Sequence, residues 1–365
     1  MSKIISIGTA LPAYRHDQQQ IANFMKRVYQ LDDRSASRIS MVYGRSKIES
    51  RYSVIADFSL PQNEWNCFPK SDDLEPFPKL DERMKWYNEA APGLAAAAIE
   101  KILTAEFNPA SITHLITVSC TGMSAPGIDI ALIKLLRLPG NCQRTSVNFM
   151  GCYAAIHGLK MADAICRADK KAVAIVVCVE LCTIHFQKEP TPDNVASSLL
   201  FADGAAAVLV VADEHAAKGN QIESFYAELA MEGEGDMSWN LSEHGFLMHL
   251  SSYIPKLVED HIESLLQNAL IHSGKSRNLI ARWAIHPGGK KILEAAARAL
   301  ALEENALAPS YDILKNYGNM SSVTILFVLK KIIYAGGIHT GQSIFAAAFG
   351  PGITIETMML NGNKC

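Results

Sequence analysis

Strand-like apolar runs alternate with helix-period segments along most of the chain. "HLITVSC" (114–120) has the length of a buried strand, and the apolar residues of "PGIDIALIKLLRL" after it recur at helical spacing. "RTSVNFM" followed by "GCYAAIHGLKMADAI" repeats the pairing. "KAVAIVVCVEL" (171–181) and "GAAAVLVVAD" (204–213) are nearly continuous apolar runs, as expected of strands covered on both faces. A Gly- and Ser-rich stretch, "MEGEGDMSWNLSEHG" (231–245), interrupts the rhythm. It then returns with "ARWAIHPGG" and the helix "KKILEAAARAL", then "YDILKNYGNMSSVTILFVLKKII", and a closing strand pair "GQSIFAAAFGPGITIETMML". The pattern predicts an α/β fold whose second half repeats the first, divided at 1–215 and 216–365. In that register "FMGCYAAIHGLKMA" lies over "NYGNMSSVTILFVLKK", so Gly151-Cys152 and Gly318-Asn319 occupy equivalent sheet-to-helix junctions.

Composition narrows the class. With 365 residues, 49% hydrophobic and 19% charged, the chain reads as compact and globular, with room for two domains at about 150 residues each. The net charge of −3 and the lack of a basic arm argue against nucleic acid as partner. The opening "MSKIISIGTALPAY" reads as a first strand, and no apolar run approaches the roughly 20 residues that span a bilayer, so a cytoplasmic protein is expected. Eight cysteines (67, 120, 142, 152, 166, 178, 182, 365) occur without CxxC pairs, which indicates neither a disulfide framework nor a zinc site. His244 and His249 in "EHGFLMHL" share no helix or strand face, so no metal is expected there. No GxSxG elbow, Walker-type loop or Gly-rich dinucleotide fingerprint occurs, so no cofactor is implied.

Three residues stand at junctions where open α/β sheets place their chemistry. Cys152 follows a glycine at the start of a predicted helix, whose free N–H groups favour a thiolate. His286 ends a strand before Pro-Gly-Gly and supplies an imidazole to take the thiol proton, while Asn319 adds an amide donor that never titrates. Each has a bland reading, as buried hydrophobe, turn residue or helix cap. Their joint placement is what favours chemistry.

These residues, with "SCTGMSAPG" (119–127), "NFMGCYAA" (148–155), "LLFADGAAA" (199–207), "WAIHPGGKKIL" (283–293), "YGNMSS" (317–322) and "FGPG" (349–352), resemble the type III polyketide synthases, the chalcone synthase-like branch of the thiolase superfamily. The resemblance implies a five-layered αβαβα thiolase-like fold from two similar halves and a homodimer. It also implies one site per chain that adds malonyl-CoA units to an acyl-CoA starter on Cys152. Cys152, His286 and Asn319 would be catalytic. Phe201 matches one gatekeeper phenylalanine, and Met248 stands at the other position. Phe349, Gly350, Pro351 and Gly352 would border the cavity, and Gly288 and Gly289 the CoA path. Arg38 and Arg45 fall near the family's cationic tunnel-mouth positions, although a third such position is Met41.

The resemblance loosens where product is controlled. His185, Trp239 and Ser321 align with a threonine, a small glycine and a serine of the cavity wall, and Cys120 borders the same region. Two bulky side chains in place of small ones imply either a short polyketide or a cavity diverted towards a separate acyl channel. Some bacterial relatives with fatty acyl starters carry a bulky aromatic at the glycine position, which points to aliphatic starters and to pyrone or resorcinol-type products. Three rivals remain. A thiolase needs a second C-terminal cysteine that "AFGPG" lacks. A papain-like hydrolase shares the Cys, His, Asn order but carries its nucleophile near the N-terminus. An initiating ketoacyl synthase, drawing malonyl groups from a carrier protein, is the nearest alternative.

Overall fold

The computed structural model describes residues 1–336 and 338–362, so Cys365 lies outside the described residues. Nine strands form one continuous sheet. From one edge they run Ile280–Ile285, Ser343–Gly350, Thr354–Asn361, Asn220–Leu229, Ser2–Ala10, Asp203–Ala212, Val173–Leu181, His114–Ser119 and Gln143–Asn148. The N-terminal strand joins the two sides, pairing along most of its length with Asp203–Ala212 but only through Ser2, Lys3 and Ile4 with Asn220–Leu229.

Strand periodicity sorts the side chains into layers. Along Val173–Leu181 the odd positions Ile175, Val177 and Val179 enter one core, which also holds Ala91, Ala95 and Ile99 of the helix Leu80–Glu100. The even positions Ala174, Val176 and Cys178 enter a second core with Ile156, Leu159 and Ala162 of the helix Ala154–Ala168. On the other side of the molecule, Ile344, Ala346 and Ala348 share that second core, whereas Phe345, Ala347 and Phe349 face a third, built on the helices Ile254–Ser273 and Lys290–Ala299. Helix, sheet, helix, sheet, helix is therefore the order of layers, the two halves of the one continuous sheet supplying both sheet layers. The middle layer pairs Ala154–Ala168 with Ser322–Tyr334, whose first eight residues are all buried, as a helix apolar all round requires. The Cys152 turn and the Asn319 loop enter these two central helices, which brings them together.

Among the described residues no helix is long and apolar enough to cross a membrane.

Candidate active site

The parallel strand Gln143–Asn148 ends in a tight turn that carries Cys152. Gly151 sits there at φ +80°, and a Cβ on it would lie 2.2 Å from Cδ of Pro351, so both conformation and space demand glycine. Cys152 belongs to a short 3₁₀ turn, Gly151–Tyr153, and the α-helix begins only at Ala154. The "FGPG" segment thus braces the Cys152 turn: Phe349 and Pro351 border the cavity. Gly350 packs against Tyr153, and Gly352 provides a turn at φ +68° outside the cavity lining.

His286 follows the strand Ile280–Ile285, its N–H donating to the Ala347 carbonyl at 2.8 Å. The imidazole is 1% exposed, and neither ring nitrogen has a partner. Asn319 is held by its main chain, donating to the Leu200 carbonyl and accepting from the N–H of Ala202, both at 2.9 Å. Its Oδ1 accepts from the N–H of Ser321 at 2.9 Å, and its Nδ2 makes only a long 3.4 Å contact to the Gly288 carbonyl. That orientation presents the amide donor to Cys152. Ser321, at φ +49°, occupies a costly conformation for a residue with a side chain, and its hydroxyl also interacts with the Cys152 sulfur.

Cys152, His286, Asn319, Ser321, Cys120, Phe201, Trp239, Met248, Gly288, Phe349 and Pro351 border one cavity of about 640 Å³. Gly289 stands outside it, beneath Leu200. The chemistry inside is set by exclusion of water. Burial pushes the Cys152 thiol up to about 12, against the opposing hydrogen bonds of Ser321 and Asn319. Burial lowers His286 to about 3. The thiolate expected at a helix start is thus not the resting form favoured by the surroundings alone, because desolvation outweighs the turn's N–H groups. Both groups therefore rest neutral, and a charge on either would gain from an opposite charge on the other across the same cavity.

A second cavity of about 590 Å³ adjoins the first, and the two share Cys182, Phe201, Trp239 and Met248 in their lining. Trp239 is fixed as part of the partition: its indole N–H donates to the Cys120 carbonyl at 2.6 Å, and its ring meets His185 and Phe246 edge to face. His185 is expected in the Cys152 cavity but borders the second one instead. Phe246 explains this, because its ring stacks on the imidazole at 4.1 Å and its N–H donates to Nδ1, leaving Nε2 to bond the Thr121 carbonyl at 2.8 Å. Burial lowers His185 to about 3, so it is a neutral strut. Arg38 and Arg45 lie exposed on the helix Asp33–Arg45, as does Met41, and none of them borders either cavity. His249 pairs with Asp193 at 2.9 Å, and the described residues contain no cluster of three His, Cys, Asp or Glu side chains able to hold a metal.

Glu180 is absent from the sequence-based site. It lies fully buried behind the nucleophile turn, accepting from the Cys120 N–H, the Thr121 hydroxyl and the Ser322 hydroxyl at 2.9, 3.0 and 2.6 Å. Burial raises it to about 7. A lone acid in the apolar run "KAVAIVVCVEL" was the available signal, since a buried charge requires partners. Cys120 in turn accepts from the Gly151 N–H at 3.0 Å, and burial with the nearby Glu180 holds its thiol well above the usual range.

The family model for the N-terminal domain of chalcone and stilbene synthases matches residues 1–214, and that for the C-terminal domain matches 221–363. The chain is 30% identical to the "alpha-pyrone synthesis polyketide synthase-like Pks18" of Mycobacterium tuberculosis, over 98% of this chain and 90% of that protein. Among solved structures it is similar to PKS-I from the brown alga Ectocarpus siliculosus, with a TM-score of 0.91 and 28% identity, covering 99% of this chain and 98% of that one. The C-terminal type III polyketide synthase domain of Steely1 from Dictyostelium shares the fold, with a TM-score of 0.89 at 24% identity, covering 99% of each chain.

Proposed function

The chain belongs to the chalcone and stilbene synthase family and is a type III polyketide synthase, an acyltransferase, and from that premise we propose that it extends an aliphatic acyl-CoA starter with malonyl-CoA on Cys152. His286 takes the Cys152 proton as sulfur attacks the starter thioester, and returns it to the departing CoA thiol. The Cys152 N–H helps to hold the tetrahedral oxyanion.

Malonyl-CoA then loses CO₂, and the enolate oxygen needs donors in a dry pocket. Nδ2 of Asn319 and a ring N–H of His286 supply them, the latter because burial keeps the imidazole neutral. The enolate carbon attacks the acyl-Cys152 carbonyl, a carbon–carbon bond forms, and the sulfur leaves to accept the next acyl group. Attack of an enol oxygen or a carbon on the chain's own carbonyl closes the product. The steps use thioesters alone, so no cofactor or metal is called for, and the use of CoA substrates supports a cytoplasmic location. The open outer edge and exposed residues of the strand Gln143–Asn148 support a homodimer that covers it.

The observation that carries the aliphatic reading is the position of Trp239 between two cavities. One cavity holds the reacting carbons, and the second, lined by Ile21, Met25, Phe58 and Phe186, receives an apolar chain. With the reaction space walled off, few extensions fit, which favours a pyrone or resorcinol-type product. The test is a product profile by mass spectrometry with malonyl-CoA and starters from short to long, beside Cys152→Ala. Long aliphatic starters should give Cys152-dependent products of few extensions. Condensation only with malonyl groups on a carrier protein would favour the initiating ketoacyl synthase instead.

A further inference from the structure

The second cavity is apolar over most of its wall, yet Arg51, only 3% exposed, borders it. Nε of Arg51 donates to Oε1 of Gln18 at 2.9 Å, and Nη1 donates to the carbonyl of the gate residue Phe201. Nη2 has no hydrogen-bond partner. The hydroxyl of Ser197, which borders the same cavity from the helix Pro192–Leu200, is likewise buried without a partner. The two belong to one stretch of wall, because the Ser197 carbonyl accepts from the Phe201 N–H and the Phe201 carbonyl accepts from Arg51. The surrounding polar groups are satisfied. His16 bonds Ser59 and the Ile55 carbonyl, Ser53 bonds Thr183, Thr183 bonds Asp203, and Ser198 bonds Tyr43, whose hydroxyl also accepts from the guanidinium of Arg51.

Two buried polar groups without partners, in the wall of an apolar cavity that adjoins a nucleophile, call for a ligand oxygen. A buried donor left unmade costs roughly 5- to 150-fold in an equilibrium constant, so a ligand that supplies an acceptor there gains on one that does not. Charge decides which oxygen. Burial lowers Arg51 to about 10, so it stays a cation at neutral pH, and the buried Asp203 carboxylate already acts on it. A ligand carboxylate would therefore bring a second buried anion, whereas a neutral oxygen would not. A hydroxyl both accepts from a guanidinium and gives its proton to a serine oxygen, which suits the two orphaned groups at once.

We propose that the second cavity selects acyl starters bearing a hydroxyl group along the chain, recognised by Nη2 of Arg51 and the hydroxyl of Ser197. The assignment rests on the acyl-starter reading above, and binding and turnover separate the two.

Binding is measured by calorimetry on the full-length Cys152→Ala protein. Palmitoyl-CoA is compared with its monohydroxylated counterparts, the hydroxyl being moved stepwise from mid-chain to the terminus. One position should bind on the order of tenfold more tightly than the unsubstituted chain, and Ser197→Ala should cut that ratio to about threefold or less. If no hydroxylated chain binds more tightly, or if the ratio survives Ser197→Ala in a folded protein, the proposal is wrong. Turnover with malonyl-CoA on the unmodified enzyme tests the other reading. A binding preference without condensation upholds this cavity assignment and sinks the starter role, and condensation without a preference does the reverse.

Discussion

Replacing Asn319 by alanine separates decarboxylation from acyl loading. The substitution removes the Nδ2 donor, which makes a 3.4 Å contact to the Gly288 carbonyl and is directed towards the Cys152 sulfur, where an enolate oxygen would form. Losing one such donor costs on the order of 10² to 10³ in rate, or about 2.7–4 kcal/mol. The structural cost is smaller. Oδ1 vanishes as acceptor for the buried Ser321 N–H, about 1–3 kcal/mol, while both main-chain bonds of residue 319 remain. Asn319→Asp provides the control, since it preserves an acceptor for Ser321 but substitutes an anion for the donor. Its fold should be less affected and its decarboxylation at least as impaired. Malonyl-CoA conversion to acetyl-CoA, followed by chromatography without a starter, reads the first step; intact-protein mass after addition of acyl-CoA reads Cys152 loading. Both variants should load and fail to decarboxylate. Decarboxylation within tenfold of wild type in folded Asn319→Ala protein would refute the assignment.

The other perturbations probe the nucleophile, the partition and the brace. Burial pushes the Cys152 thiol up to about 12 despite the hydrogen bonds of Ser321 and Asn319, and an imidazolium on His286 would add an opposite charge in the same cavity, so His286→Ala should move the pH profile of iodoacetamide inactivation upward. In that variant alkylation should be slow at neutral pH and still rising above pH 9, and superimposable profiles would show that His286 does not share the proton. Trp239→Ala removes the indole and its 2.6 Å bond to Cys120, joining the two cavities. It should lengthen the polyketide from a given starter and lower the melting temperature, checked by product mass and thermal unfolding. Gly151→Ala places a methyl 2.2 Å from Pro351 at a φ of +80°, and should lower the melting temperature and abolish turnover together.

How much of this was legible in the sequence depends on the range of the interaction. Strand and helix periodicity located the junctions of Cys152, His286 and Asn319, because the continuous apolar runs along 173–181 and 343–350 mark strands buried between two layers. The helix start at Cys152 was misplaced by two residues, since the turn is held by Pro351 from the far end of the chain. The ionisation expected at Cys152 also differed, because a helix terminus is local whereas desolvation sums over every element that covers the site. His185 illustrates the same limit. Its residue type suggested bulk in the reaction cavity, but the stacking partner Phe246, 61 positions away, turns it to the other side of Trp239. Glu180 was visible as the one acid in an apolar strand, while its three donors, from a distant loop and a distant helix start, were not.

The central claim is that one cavity joins carbon to carbon by decarboxylating malonyl-CoA against an acyl group on Cys152. The most direct measurement supplies a long-chain acyl-CoA and isotopically labelled malonyl-CoA to the purified protein and follows both the intact protein and the products by mass spectrometry. The account predicts an acyl adduct on Cys152, then labelled products longer than the starter by two-carbon steps, with both signals lost in Cys152→Ala. An acyl adduct that is only hydrolysed, with no label entering a longer chain, would contradict it.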